Sequence, residues 1–300
     1  TDKNRFRVEP LLNLTYKINS SHNLNASASL NYMTPSIETL YSGYILTSYR
    51  QISAYDVAGL YEGMNQHYAL KYDFKNILSM SFAGAEVSWY RQSPEVLYGS
   101  YYDGIVQHTI SRHTSENSDM LSAKVHASQG FDWRRLKIGA SVTYSYYDSP
   151  LLVQDAVVRY TGNSFGVNAN ISLTPFKWLS VSYQGNYSQS ATQQKGQERF
   201  PWLRTVTNKG TLDFTIPGGV TLTASLYHYY NNFNDGDRSF LLLNAEAKYT
   251  IKRFSFTLSC DNLLNRKSYL YSSLSALTES KAIYNIRPRS LLLKIRFRIF

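Results

Sequence analysis

The sequence predicts an all-β chain: an antiparallel up-and-down transmembrane β-barrel wall of about thirteen strands with almost no helix. Three observations predict it. The first is the final run, RPRSLLLKIRFRIF. Leu291, Leu293, Ile295, Phe297 and Ile299 alternate with Leu292, Lys294, Arg296 and Arg298. A period of two places each set on its own face of a strand. One face is apolar and the other carries three cations, which suits hydrocarbon on one side and water on the other. The second observation is that this alternation recurs along the chain. The third is that the connections between alternating segments are short and long by turns.

Taken in order, the first strand carries Val8, Pro10, Leu12, Leu14, Tyr16 and Ile18 on one face, and the second carries Leu24, Ala26, Ala28, Leu30 and Tyr32. Tyr68 to Phe74 follows, then Leu78, Met80 and Phe82. Residues 104–129 hold two apolar runs separated by SRHTSENS; they are read as one long strand broken near 113–118. Leu136 to Tyr146 is the most regular segment, its even-numbered apolar residues set against Arg135, Lys137, Gly139, Ser141, Thr143 and Ser145. Phe165–Leu173, Leu179–Tyr187, Leu212–Ile216, Val220–Tyr230, Leu241–Tyr249 and Phe254–Asn262 precede the terminal strand. No window sustains a helical period.

Short connections are expected at 19–23, 73–76, 130–134, 174–177, 217–219 and 251–253, and long ones near 34–65, 91–103, 148–163, 190–203, 231–238 and 264–286. Tight turns at one end and long polar loops at the other distinguish the periplasmic and outer ends of an outer-membrane barrel. A soluble sandwich has no cause to sort its loops in this way. An odd strand count ending at the periplasm starts the first strand on the outer side. Complete single-chain bacterial barrels have even counts, so residues 1–300 are expected to be the C-terminal part of a longer barrel.

Composition agrees. Tyrosine accounts for 26 of 300 residues, and its half-apolar ring favours membrane rims. Mean hydropathy is −0.34, as interleaved apolar and polar residues require, and no apolar run is long enough for a helical span. The single cysteine, Cys260, shares parity with Phe254, Phe256 and Leu258 and reads as a wall residue. The net charge of +10 is spread along the polar parity rather than clustered with exposed aromatics, which argues against nucleic acid. Histidines 22, 67, 108, 113, 126 and 228 form no metal-ligand spacing, and no G-x-S-x-G elbow is present. The expectation is therefore no enzyme, no metal and no cofactor. His22 and His228 are placed at a barrel rim.

Several segments resemble a known family. DNLLNRKSY (261–269), after an alternating strand and before a long loop and the last strand, is similar to the "NLF-N-K-Y" element of TonB-dependent receptors. PLLNLTYKINSSHNLNASASLNYMTPSIETL (10–40) and SFGVNANISLTPFKWLSVSYQGNYS (164–188) resemble the outer membrane protein β-barrel family within those receptors. Thr34 stands where arginine is usual before Pro35, and Phe300 is out of phase with the apolar positions before it. The resemblance implies a roughly 22-stranded wall around a plug domain. It also implies TonB-coupled import of a scarce, bulky nutrient (siderophore, glycan or peptide type) across a Gram-negative outer membrane. The plug, the early strands and the TonB-contacting segment lie outside these 300 residues. A self-contained passive channel or porin of about fourteen strands is the alternative.

Aromatic and arginine side chains in the long loops, Tyr41, Tyr44, Tyr49, Arg50, Tyr101 and Trp202, are the expected ligand contacts. Lys294, Arg296 and Arg298 are expected to face the plug, while Phe297 and Phe300 serve assembly of the C-terminal strand. Expected partners are outer-membrane lipid and lipopolysaccharide, the plug, TonB and a surface lipoprotein, with no nucleic acid.

Overall fold

The computed structural model describes residues 6–33, 44–49, 51–54, 61–104, 106–234, 236–276 and 278–298. Nineteen strands are found among them: β1 (Leu11–Lys17), β2 (His22–Met33), β3 (Tyr44–Ser48), β4 (Gln51–Ala54), β5 (Gly63–Asn76), β6 (Ser81–Ser93), β7 (Val96–Asp103), β8 (Val106–His113), β9 (Ser118–Phe131), β10 (Leu136–Val153), β11 (Ala156–Phe176), β12 (Leu179–Gln194), β13 (Leu203–Ile216), β14 (Val220–Asn231), β15 (Ser239–Ile251), β16 (Phe254–Asp261), β17 (Ser268–Ser275), β18 (Thr278–Asn285) and β19 (Ser290–Phe297). Among the described residues a 3-10 turn, Trp133–Arg135, lies between β9 and β10.

Seventeen of these strands share one hydrogen-bonded sheet. Thirteen follow one another as an antiparallel meander in the order β1-β2-β5-β6-β9-β10-β11-β12-β13-β14-β15-β16-β19. This is the wall that the alternation predicts. The hairpins β3–β4 and β7–β8 rise from its long-loop end and join through parallel pairing of β4 with β8 and of β7 with β10. The β17–β18 hairpin forms a sheet of its own. Among the described residues no ladder joins β1 to β19, so the wall has two free edges.

Residues directly opposite in adjacent strands lie on the same face. One row runs Leu14, Ala26, Leu70, Val87, Ala123, Tyr144, Phe165 from β1 to β11. Another runs Ile171, Tyr183, Gly210, Leu226, Leu243, and a third Ala247, Leu258, Leu293. Cys260 sits between Ala245 and Leu291 on this apolar face. The opposite face carries Asn23, Asp73, Gly84, His126, Ser141, Asn168, Asn186 and Thr207 in one continuous row. Ladder pairing thus carries the apolar–polar division through all thirteen wall strands without a change of side.

Among the described residues nothing covers the apolar face. Leu293 and Phe297 are 60% and 53% exposed, and the core holds only Val96, Leu152, Ala191, Leu203 and Tyr229 among the described residues. Accessible surface is 19838 Å², whereas a soluble monomer of this mass exposes about 12,900 Å². A two-sided sheet accounts for the excess. Such a continuous apolar surface in water would drive aggregation, so the fold requires an apolar environment on that side.

Three boundaries differ from the expectations. Residues 104–129 are not one strand: β8 ends at His113, residues 114–117 are irregular, and β9 starts at Ser118. β8 folds back on β7 above the wall, so both leave the meander and the count of thirteen is unchanged. Residues 148–163 are not a loop either. β10 and β11 stay paired out to Val153 and Ala156, joined only by Gln154 and Asp155, both at positive φ. The composition there is polar because the strands project into water. The turn expected at 73–76 instead lies at 77–80, with Met80 at φ 52°.

Candidate functional site

Aromatic rings rim the apolar face at both ends. Near the short turns, Phe176 stacks on Trp178 at 5.0 Å and Trp178 on Phe214 at 6.1 Å. Phe254 meets Phe256 at 6.2 Å and Phe297 at 4.9 Å. Arg134 lies over Trp133 and Phe176. His22 is at this rim as expected, its Nδ1 2.6 Å from the Tyr72 hydroxyl and its ring 4.9 Å from Phe74. Near the loops, Tyr68 stacks on Trp89 at 5.4 Å and the Arg91 guanidinium lies 4.9 Å above Trp89.

Tyrosine hydroxyls mark the upper rim. Tyr144 donates to Asn163 at 2.8 Å, and Tyr183 donates to Asn208 at 2.7 Å. Asn208 continues to His228 at 3.0 Å and His228 to Ser239 at 2.9 Å. All lie on the apolar parity, so each polar group there is satisfied by its neighbours. On β10 the apolar face from Leu136 to Tyr146 is about 34 Å long, or about 26 Å in height at a tilt of about 40°. That matches the ~25 Å apolar band of outer-membrane barrels. Above it, Arg91 pairs with Asp119, and Arg159 with Asp148 and Glu116.

On the polar face Lys71 lies opposite Glu86, Glu86 opposite Lys124, and Lys71 Nζ is 3.1 Å from Asp73. Lys294 and Arg296 share a cleft with Glu246, Lys248, Ser255 and Thr257. This cleft therefore presents three cations and one carboxylate to this side. Arg298 follows β19, its backbone N–H donating to Arg253. Phe297 is on the opposite, apolar side, against Phe254.

The loop residues divide. Tyr41, Arg50 and Phe300 lie outside the described residues, and Tyr44 opens β3. Tyr49 is 84% exposed at the β3–β4 turn. Tyr101 sits in β7 with its ring 6.0 Å from His108, whose strand β8 pairs with β4. Tyr49 and Tyr101 thus belong to one outer sheet. Trp202 belongs to a separate group, under Arg199 at 5.6 Å and beside Asn232.

A second aromatic set lies outside the residues that the loop composition predicts. Trp89–Tyr90, Tyr146–Tyr147 and Tyr229–Tyr230 are doublets near the loop end, and in a strand a doublet sends one ring to each face. Tyr90, Tyr147 and Tyr229 are the inward members. Tyr147 lies across Gly162, where a Cβ would stand 2.0 Å from the ring, and meets Tyr160 at 5.6 Å. Tyr229 meets Tyr269 at 6.3 Å and Tyr271 at 6.2 Å. Tyr269 in turn contacts Phe240 at 5.3 Å and Tyr284 at 5.1 Å. The doublets were the available sequence signal.

The β17–β18 hairpin is held against this wall by amides. Asn231 and Asn234 donate to the carbonyls of Ser272 and Leu270, at 2.8 Å each, and Ser272 Oγ donates to Asn234. Two carbonyls two residues apart are what a neighbouring strand would bond; here side-chain amides take its place. Asn231, Asn234 and Ser272 are 0%, 2% and 2% exposed. At the hairpin base, Asn262 Nδ2 donates to the carbonyls of Arg266 and Arg287, and its Oδ1 accepts from the Arg266 N–H. The asparagines of DNLLN thus fix the loop's two ends.

No family model matches the chain, and no curated protein matches it. Among solved structures it is similar to the open form of the ferric-catecholate import receptor Fiu of E. coli K12. The likeness covers 96% of this chain at 10% identity and a TM-score of 0.31. The chain spans 61% of that receptor's length.

Proposed function

We propose that this chain is the C-terminal part of a TonB-dependent outer-membrane receptor barrel that imports a scarce, bulky nutrient. The observation that carries the reading is the two-faced wall: thirteen strands with one unbroken apolar face, rimmed by aromatics, and one polar face. Long structured loops at one end and tight turns at the other orient it across the outer membrane. The free edges of β1 and β19 are completed by further strands of the same barrel. A self-contained channel would instead need those two edges to pair.

In this reading the outer sheet and the lumen tyrosines receive the ligand, and Lys294, Arg296 and Arg298 meet acidic groups of a plug. Passage follows plug rearrangement driven through TonB. The wall performs no covalent chemistry. The test is cell fractionation and growth: the full-length protein sediments with outer membranes, and uptake of its nutrient disappears when TonB is lost. Uptake that persists without TonB would replace this reading with passive diffusion.

A further inference from the structure

Between the start of β15 and the β17–β18 hairpin lies a cavity of about 220 Å³, bordered by Asp237, Phe240, Arg266, Tyr269 and Ile283. It has room for about seven waters, the scale of one sugar ring and far below that of a bulky chelate. Phe240 is on the polar face of the wall, directly opposite Tyr229, so the cavity opens inward at the loop end. Two of its lining rings, Phe240 and Tyr269, lie 5.3 Å apart, and Tyr284 stacks on Tyr269 at 5.1 Å outside the lining. The buried asparagine clamp described above holds these rings in place before any ligand arrives, which lowers the ordering cost of binding.

The two charges of the cavity are its second informative feature. Asp237 and Arg266 both line it, yet neither side chain holds an ion pair or hydrogen bond among the described residues. Opposite charges left apart on one small cleft are arranged for a ligand that offers donors and acceptors and carries little net charge. An anionic chelate would be repelled by the carboxylate. A zwitterion would gain little, because solvent-exposed ion pairs contribute little net binding. Adjacent hydroxyls bind both a carboxylate and a forked guanidinium, while the C–H face of a pyranose covers an aromatic ring.

We infer that this cleft is a carbohydrate subsite: the Phe240–Tyr269 platform stacks one pyranose ring and Asp237 and Arg266 bind its hydroxyls. It rests on the receptor reading and names the substrate class for it. The test uses full-length protein in nanodiscs and saturation-transfer NMR with maltotriose, cellotriose, chitotriose, the dipeptide Gly-Phe and a ferric tris-catecholate. At least one oligosaccharide binds, with transfer strongest at the protons of one ring face. Tyr269→Ala and Arg266→Met weaken it tenfold or more, and Tyr269→Phe retains it. Heat-modifiable migration of each variant confirms folding. If no oligosaccharide binds, if only the dipeptide or the chelate does, or if folded Tyr269→Ala and Arg266→Met bind normally, the subsite is refuted. Outer-membrane sedimentation of the same preparation tests the receptor reading independently, so a protein that sediments correctly but ignores sugars sinks only the subsite.

Discussion

Asn262 shows how much one side chain carries here. It is 3% exposed with φ 54°, its amide makes three hydrogen bonds, and its own N–H donates to Asn244. Removing the amide leaves the Arg266 N–H and the Arg266 and Arg287 carbonyls without these partners. Asn262→Ala should therefore cost about 2–3 kcal/mol or more, seen as a lower urea midpoint for unfolding from liposomes. Asn262→Gly relieves the positive φ but not the lost bonds, so it should recover only a small part. The outer and inner faces make the complementary contrast between neighbours on β13. Leu212→Arg puts a charge against lipid and should cost about 2–4 kcal/mol, whereas Thr211→Arg, pointing to the polar side, should change stability little. Equal effects of the two in the same urea titration would contradict the assigned faces. The sequence already carried this contrast, because period-two alternation needs no tertiary information. It did not carry Asn262, since a buried polar residue looks like any other loop asparagine until its partners are in place.

Among the elements, the wall strands were legible and the outer hairpins were not. Residues 104–129 contain enough apolar residues for one long strand, but β8 folds back on β7, Val96 of β7 is buried, and β7 pairs with β10 at the buried Leu152, which takes both strands out of the wall. Close approach there depends on Gly99: a Cβ would stand 2.0 Å from the Leu152 carbonyl oxygen. Gly99→Val should therefore separate β7 from β10 and open residues 94–117 to limited proteolysis, leaving the wall intact on heat-modifiable gels. Unchanged protease resistance would show that β7 is held by other contacts. Residues 148–163 depart from the expected loop for the opposite reason. Their polarity signals water, and both a loop and a projecting hairpin satisfy that; the two-residue Gln154–Asp155 turn decides it. The β17–β18 hairpin was likewise hidden, because its docking uses amides rather than an apolar stripe.

At the scale of the whole molecule, the strand ladders and, in the proposed membrane setting, lipid stand in for a core. With so few apolar side chains buried, solubilisation without detergent or bilayer should yield aggregate, and refolding into lipid should restore protection of the strands. Proposed strands beyond β1 and β19 would remove the exposed edges, which otherwise offer unpaired N–H and C=O groups. The most direct test follows β10 residue by residue. In full-length protein with Cys260 replaced by alanine, single cysteines at 138 through 145 are spin-labelled in lipid vesicles, and their accessibility to oxygen and to a water-soluble nickel complex is measured. Labels at 138, 140, 142 and 144 should favour oxygen, while those at 139, 141, 143 and 145 should favour nickel. Loss of that alternation, or both sets shielded together as in a packed soluble interior, would contradict the account.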